Sequence, residues 1–416
     1  MQLGKYSLGI GDRFSQQGRA QLAALSQART NGVDITPVWN KSFREHQIIH
    51  SQPGDTRREA DQAVQALQWQ APYFVDADHI NLKTVDLFID ACDFYTLDVA
   101  DYIGQEANDQ DVQAFADRYN KYIGMLHIPG IADTFQVTGK LLLDIAEKYL
   151  YAVKEAGRIY RHIAARRENR PFVVEVSMDE TDTPQTPVEL FFILAAIADE
   201  GIPAQTIAPK FSGRFNKGVD YVGDISRFSR EFAQDIAIIQ YVCKNFTLPH
   251  NLKLSVHSGS DKFSIYKPIA AALKQFDAGL HLKTAGTTWL EELIGLAMAG
   301  GEALEIAKVV YRQAWERYDE LCKPYATVID IHKEFLPDPA QVDKWDSIMY
   351  AESLRHVPGN KHFNPHFRQL LHVGYKVAAE MGAGYINALQ KHEAIIAVNV
   401  TENLYDRHIK PLFMGI

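Results

Sequence analysis

Short apolar runs that end in polar residues alternate along this chain with longer stretches in which apolar residues recur every three or four positions. The short runs are typical of strands, and the longer stretches are typical of amphipathic helices that pack on a sheet. Such alternation predicts parallel βα units. Eight runs fit the strand pattern, and eight strands close an α/β barrel. The runs occupy residues 6–14, 35–41, 73–80, 94–100, 172–180, 203–210, 253–262 and 280–286.

Amphipathic stretches between these runs supply the helices of the predicted barrel, which we expect to be TIM-like. The clearest helices occupy residues 16–30, 186–201, 229–245 and 266–276. The interval from 101 to 171 is longer than one crossover needs, and we interpret it as an inserted helical segment. We divide the chain into a barrel over residues 1–300 and a C-terminal helical cap over 301–416, in which only 326–332 has the strand pattern.

A doubly wound open sheet would show the same alternation of strands and helices. The barrel is favoured because eight runs are present and because several of them finish in polar residues, as strands do at the mouth of a barrel. No GxGxxG motif follows the first run, which counts against the dinucleotide-binding form of the open sheet.

Composition and charge restrict the classes of function. The chain has 416 residues, 46% of them hydrophobic, and a formal net charge of −9, which disfavours a nucleic-acid partner. Cys92, Cys243 and Cys322 lie far apart, so neither a disulfide framework nor a cysteine-based zinc site is expected. Without a signal-like N-terminus or a long apolar stretch, we expect a soluble cytoplasmic protein with no membrane partner. A homo-oligomer remains open.

Carboxylates concentrate at the ends of two strand runs. Alternation places Asp76 and Asp78 on one face of the third run, and Glu175 and Asp179 on one face of the fifth. Asp78 and Asp179 end their strands, where a general base can reach a substrate, and they are our candidate catalytic carboxylates. Solvated rim charges are the alternative. Glu175 lies deeper and is a candidate for contacting the substrate or a metal, for orienting a histidine, or for pairing with Lys283.

Three histidines at strand ends are candidate metal ligands, namely His79, His257 and His281. A single histidine there is more often structural, but three imidazoles with an open position form a catalytic metal site. The cofactor predicted is a divalent cation, and imidazole ligands accept Zn, Mn, Ni, Co or Fe. Strict alternation points His79 away from the face of Asp78, so the third strand must end or twist there.

Cations near the strand ends would hold a small acidic substrate. Each such residue taken alone is more often a surface charge, but their shared location favours a site. The candidate substrate-binding cations are Arg13, Lys41, Arg214 and Lys283, and Lys210 is a third candidate catalytic group.

Several long phrases of the sequence resemble the tagaturonate epimerase family. They are FVDADHINLKTVD, EVSMDETDTPQTPVELFFILAAIADEG, APKFSGRFNKGVDY, HSGSDKFSIY, HLKTAGTTWLEE and HFNPHFRQLLHVGYKVAAEMG, and the resemblance covers most of residues 70–410. It implies an isomerase that interconverts two keto-uronic acids, D-tagaturonate and D-fructuronate, with a divalent metal. His79, His257 and His281 lie within the matching phrases, and the resemblance gives them the metal-binding role.

The carbon that this reaction inverts lies one bond beyond the carbon alpha to the ketone, so its hydrogen is not acidified and enolisation cannot invert it. We expect retro-aldol cleavage and re-addition, with Asp78 removing the hydroxyl proton, the metal acting as a Lewis acid, and Asp179 or Lys210 returning the proton. The alternatives are a metal-dependent uronate isomerase, aldolase or dehydratase, or a non-catalytic protein that binds sugar acids.

Overall fold

The computed structural model describes residues 1–168, 170–284 and 287–415, and its centre is a closed barrel of eight parallel strands. Each predicted strand run overlaps one barrel strand, so the expected TIM-like barrel is confirmed. In chain order the strands are β1 (Tyr6–Ile10), β2 (Ile35–Ser42), β3 (Phe74–Ile80), β4 (Phe94–Asp98), β5 (Gly124–Leu126), β6 (Phe135–Val137), β7 (Val173–Met178), β8 (Thr206–Pro209), β9 (Lys253–Val256) and β10 (Leu280–Lys283). The short β5 and β6 form a separate antiparallel hairpin.

Helices surround the barrel and continue into the C-terminal cap. They are α1 (Gly18–Thr30), α2 (Phe43–Ile49), α3 (Pro53–Ala66), α4 (Asp109–Tyr119), α5 (Gly139–Arg166), α6 (Pro187–Asp199), α7 (Ile225–Asn245), α8 (Phe263–Phe276), α9 (Thr287–Ala299), α10 (Gly301–Glu316), α11 (Tyr318–Cys322), α12 (Pro339–Val342), α13 (Ser347–Leu354), α14 (Pro365–Val373), α15 (Tyr375–Glu380), α16 (Ala383–Lys391), α17 (Glu393–Glu402) and a π-helical segment Asn403–Met414. Single 3₁₀ turns occupy Val85–Leu87, Ala100–Tyr102, Asn120–Tyr122, Lys323–Tyr325 and Lys333–Phe335. Within the described ranges, no helix combines the length and the apolar character that crossing a membrane requires.

Alternate residues of each strand point into the barrel, and the parallel register stacks them in layers. Where the strands begin, Leu3, which precedes β1, packs with four inward strand side chains in an apolar cluster: Val38, Phe74, Phe94 and Val173. Further along, Gly9 lies beside Lys283 in the register of β1 and β10. A Cβ atom on Gly9 would lie 2.9 Å from Lys283 Cγ, so the glycine leaves room for the lysine side chain.

Two expectations about the rest of the chain are wrong in detail. The 101–171 interval is not wholly helical, because it contains the β5–β6 hairpin between α4 and α5. Its long helix α5 packs against α6 and β4, as a helix of the barrel itself does. Residues 326–332 form turn and irregular chain rather than a strand, and no strand among the described residues pairs with them. Asn169, Ala285, Gly286 and Ile416, at or near predicted boundaries, lie outside the described residues.

A candidate active site at the mouth of the barrel

A buried lysine occupies the centre of the barrel mouth. Lys283 Nζ lies 2.7 Å from Asp78 Oδ1 and 2.9 Å from Asp76 Oδ2. It also lies 3.0 Å from Glu175 Oε1 and donates to Thr96 Oγ1 at 2.7 Å. Burial alone would lower the pKa of Lys283, but the three carboxylates outweigh it and raise that pKa well above its ordinary value. Lys283 is therefore a permanent cation with three anionic neighbours.

The two aspartates of β3 are held in different states. Burial, reinforced by the neighbouring carboxylates Asp78 and Glu175, raises the pKa of Asp76 to about 7 although Lys283 opposes this shift. Burial acts in the same direction on Asp78, but there Lys283, His79 and His257 outweigh it and hold the pKa below its ordinary value. Asp78 is thus the ionised member of the pair at neutral pH.

His257 lies between two carboxylates, that of Glu175 in β7 and that of Asp179 directly after this strand. Its Nε2 atom is 2.7 Å from Glu175 Oε1, and its Nδ1 atom is 3.0 Å from Asp179 Oδ1. Ser177 Oγ donates to the same oxygen of Asp179 at 2.6 Å. Burial would lower the pKa of His257, but Asp179 and Glu175 raise it to about 10 even against Lys283. The ring is fixed at the end of β9 by these anions.

His79 reaches the same group because the backbone of β3 changes direction. The φ angle of His79 is 52°, in the left-handed region, and the pairing of β3 with β4 shifts register between Ala77 and Ile80. This irregularity is the interruption that strict alternation required. The imidazole lies against the His257 ring, with 5.1 Å between ring centroids, and 3.7 Å separate its Nδ1 from Asp98 Oδ2.

One cluster of metal-ligating side chains stands out among the described residues. His79, Asp179 and His257 each offer one ligand atom, and these atoms lie within 4.8 Å of one another. The Nδ1 atom of His79 is buried and makes no hydrogen bond with any described residue, and the buried Nδ1 atom of His257 faces only the Asp179 carboxylate, at 3.0 Å. Two imidazoles and a carboxylate, with an unsatisfied nitrogen on one ring, are a donor set that first-row divalent metals accept. The residues therefore fit the predicted metal.

His281 lies one layer deeper than this cluster. In the register of β10 with β9 it pairs with Ser255, two positions before His257. Its Nδ1 is 2.9 Å from Ser7 Oγ and its ring lies 5.5 Å from that of Phe94. Burial lowers its pKa to about 3, so the ring is neutral. The structure therefore does not bring the three predicted histidines together, and Asp179 completes the group instead.

A cavity of about 400 Å³ opens beside the cluster. Asp179 and His257 form one side of it, and the loop after β8 contributes Lys210 and Arg214. Lys210 Nζ donates to the Thr181 carbonyl. Two further carboxylates, those of Glu180 and Asp182, also line the cavity, together with Phe211, Phe215, Asn216 and, from the cap, Thr327 and Val328. The lining therefore combines two cations, one imidazole and three carboxylates.

The family is decided by comparison with known proteins. A family model described as tagaturonate epimerase matches residues 1–412. This chain belongs to the tagaturonate epimerase family. It is an isomerase of uronic acids, as the resemblance implied.

Known relatives agree with this assignment. A tagaturonate/fructuronate epimerase of Thermotoga maritima is 26% identical over 420 residues, which span 97% of this chain and 80% of the relative. A glycerol-bound structure of a fructuronate-tagaturonate epimerase from Cohnella laeviribosi matches 99% of this chain and 83% of its own, with a TM-score of 0.81 and 22% identity. The native structure of that enzyme gives a TM-score of 0.80 and covers 99% of this chain and 82% of its own. At this identity the structural likeness concerns the fold.

Three of the four predicted substrate-binding cations do not line the cavity. Lys283 belongs to the carboxylate cluster described above, and Arg13 and Lys41 have other partners. Arg13 pairs with Glu45 at 2.6 Å, and its guanidinium lies 3.8 Å from the ring centroid of Tyr375. Lys41 Nζ donates to the Arg13 carbonyl at 3.2 Å and to Ser15 Oγ at 3.0 Å. Lys41 is on the outward face of β2, because the inward positions of that strand are even-numbered. Both residues thus have structural partners away from the cluster.

Two residues of β4 belong to the site although the sequence analysis did not select them. Thr96 donates to both oxygens of Asp76 at 3.0 Å and contacts Lys283. Asp98 approaches His79 from the end of the strand. The signal was present in the sequence, since the same two-residue alternation places Thr96 and Asp98 on one face of FYTLD.

Proposed function

We propose that this epimerase interconverts D-tagaturonate and D-fructuronate in the cavity beside His257, using a divalent metal held by His79, Asp179 and His257. The observation that supports this most directly is the convergence of those three ligand atoms within 4.8 Å at the strand ends. The cavity next to them has the size of a small-molecule site and carries Lys210 and Arg214 for an acidic substrate.

The charges around the cluster also favour a bound cation. Five carboxylates lie around the cluster. Lys283 pairs with those of Asp76, Asp78 and Glu175, whereas Asp179 faces His257 and Asp98 faces His79. Buried anions are costly unless they are paired with cations or coordinate a metal. A divalent ion would offset negative charge in place of the ring proton that these carboxylates favour on His257, and it would use the His79 nitrogen that makes no hydrogen bond with any described residue.

The chemistry of the inversion decides which bond must break. Because the inverted carbon is beta to the ketone, we propose that the bond between it and the alpha carbon is cleaved. Loss of the hydroxyl proton turns the inverted carbon into an aldehyde, and the electron pair of the broken bond passes to the ketone fragment. When bound, the divalent metal would supply Lewis-acid stabilisation for this developing negative charge. Rotation of the aldehyde and re-formation of the same bond on its other face gives the epimer.

The protein's own residues then have distinct tasks in the proposal. Asp78, kept ionised by Lys283, accepts the hydroxyl proton. Lys210 returns a proton to the alkoxide after re-addition, and Arg214 holds the substrate carboxylate in a charge-assisted pair. Arg214 Nη2 now lies 2.9 Å from Asp330 Oδ2 in a half-exposed ion pair, which a substrate carboxylate would compete with.

A turnover assay tests the function. The protein is stripped with a chelator, reloaded with individual divalent metals and incubated with D-tagaturonate in D₂O while NMR follows the products. We expect metal-dependent formation of D-fructuronate without deuterium at the inverted carbon, since retro-aldol chemistry never breaks that C–H bond. Deuterium at that carbon would contradict the mechanism. Accumulation of three-carbon fragments without epimer would instead indicate an aldolase.

Metal binding can be followed apart from turnover. Co²⁺ titrated into stripped protein should give visible absorption bands of a nitrogen- and oxygen-ligated ion. The bands should be lost in His79→Ala and His257→Ala and retained in His281→Ala. Loss of the bands in all three variants would support the three histidines predicted from the sequence and overturn the ligand set proposed here.

A further inference from the structure

One fully buried guanidinium joins the loops after β8 and β9 to the C-terminal cap. Arg368 belongs to α14, and its Nε donates to the Gly218 carbonyl at 2.7 Å. Its Nη2 donates to Asp261 Oδ2 at 2.8 Å, and its Nη1 donates to the Leu354 carbonyl at 2.8 Å. A single side chain therefore holds three separate segments of the chain.

Both loops lead directly from the cavity. Gly218 lies in the loop that carries Lys210 and Arg214, and Asp261 follows His257 in the loop after β9. A second buried cation ties the same two loops together, since Lys262 Nζ donates to the carbonyls of Asn216 and Val219 at 2.8 and 2.6 Å. Arg368 differs from Lys262 in extending the connection to the cap.

Asp261 is positioned from the cap by a second contact. Its backbone N–H donates to His408 Nε2 at 3.1 Å, and the Nδ1 atom of His408 lies 2.8 Å from the Asn403 carbonyl. These two bonds set the tautomer of His408, with the proton on Nδ1. The loop after β9 is therefore held by a guanidinium from α14 and by an imidazole from the terminal helical segment.

We propose that Arg368 is a positioning residue for the epimerase reaction, which fixes the loop carrying Lys210 and Arg214 relative to the loop that follows His257. This inference rests on the active site proposed above. Arginine is required because its planar fork serves a carboxylate and two carbonyls at once, which a lysine ammonium cannot do with the same geometry. Small displacements of catalytic groups are expensive, since a shift of about 1 Å caused by a distant mutation can cost about 100-fold in rate.

Arg368→Lys and Arg368→Met test the proposal, with Lys308→Met as the matched control. Lys308 is also a buried cation of the cap, but it bonds to the Asp343 carbonyl at 2.9 Å and to Glu305 at 3.1 Å, within the cap. We expect kcat for D-tagaturonate to fall about 10- to 100-fold in Arg368→Lys, the range typical of residues that support a site indirectly. The control should lose less than about threefold, at a temperature where circular dichroism shows each variant folded.

Hydrogen exchange supplies a readout that does not depend on turnover. Arg368→Lys should speed amide exchange in residues 210–219 and 257–262 together, and Lys308→Met should leave both loops as in the unsubstituted protein. Equal exchange in the two variants, or a kcat of Arg368→Lys within twofold of the unsubstituted enzyme, would overturn the proposal. If the unsubstituted enzyme shows no epimerisation, the proposed function fails, while exchange still decides whether Arg368 holds the two loops. Arg368→Met removes the charge that Arg368→Lys keeps. A comparison of their urea unfolding shows how much of the stability depends on that charge.

Discussion

The two ends of the barrel interior are built on the same eight strands but have opposite chemistry. At the end where the strands begin, Leu3 and four inward strand side chains, Val38, Phe74, Phe94 and Val173, form an apolar cluster. At the end where they finish, Lys283 lies among carboxylates and His257 lies between two of them. The first residues of the strands therefore serve mainly for packing, and the last residues carry the groups of the proposed active site.

The histidines of adjacent strands show how sharp this separation is. His281 and His257 differ by one inward layer, because His281 pairs with Ser255. His257 has carboxylates on both sides, which raise its pKa to about 10, whereas burial lowers the pKa of His281 to about 3. The two residues are both histidines on the inward face of a strand, but the surroundings of His257 favour the protonated ring and those of His281 favour the neutral ring.

The largest effect is expected at the mouth of the barrel. His257→Ala removes a proposed metal ligand, and Lewis-acid stabilisation worth several kcal/mol corresponds to a loss on the order of a thousandfold or more in kcat. Ser255→Ala is the matched control, since Ser255 lies on the same face of β9 one layer deeper. Steady-state kinetics at saturating metal should show a change below about threefold for the control. Similar losses in both variants would break the distinction between the layers.

Removing the central cation should destabilise the fold as well as the site. Lys283→Met leaves three buried carboxylates without their shared partner, and breaking a buried pair costs about 3–5 kcal/mol. Lys253→Met at the opposite end should cost only about 1 kcal/mol, since Lys253 bonds a backbone carbonyl rather than a carboxylate. Urea unfolding of both variants measures the difference. Equal losses would mean that the charged cluster contributes no more than a buried hydrogen bond.

A substitution in the apolar cluster should separate stability from catalysis. Phe74→Ala creates a cavity where the strands begin, and we expect a loss of about 3 kcal/mol in the free energy of unfolding. At a temperature where the variant is folded, its kcat should stay within about threefold of the unsubstituted enzyme. A hundredfold loss of kcat would show that the apolar end positions the site and would weaken the comparison.

The smallest effect is expected from His281 and depends on pH. Its pKa is lowered to about 3 in the folded protein, so between about 3 and the ordinary 6.5 the unfolded chain binds more protons. Stability from this residue is therefore complete above about pH 6.5 and is lost as pH falls. Between pH 7.5 and 5 the unsubstituted protein should lose about 2 kcal/mol more than His281→Asn. Urea unfolding at both pH values tests this, and parallel losses would contradict it.

Much of the fold followed from local pattern, and the site followed in part. The eight strands and the face shared by Asp76 and Asp78 depend on alternation within short segments, and the structure has both. The same alternation would have selected Thr96 and Asp98 and would have turned Lys41 outward. His79 turns into the mouth because its φ angle is 52°. Alternation showed that the strand must be irregular there, but it did not give the form of the irregularity.

The sequence by itself determined the strand segments, their polar ends and the family, because these are properties of residues close together in the chain or of long matching phrases. Tertiary structure decided which polar ends meet. Closing the barrel sets the register between neighbouring strands, and that register places His281 below the cluster and Asp179 within it. It also brought Arg368 from the distant cap to the loops of the cavity. Such choices depend on contacts between residues far apart in sequence, about which local periodicity carries no information.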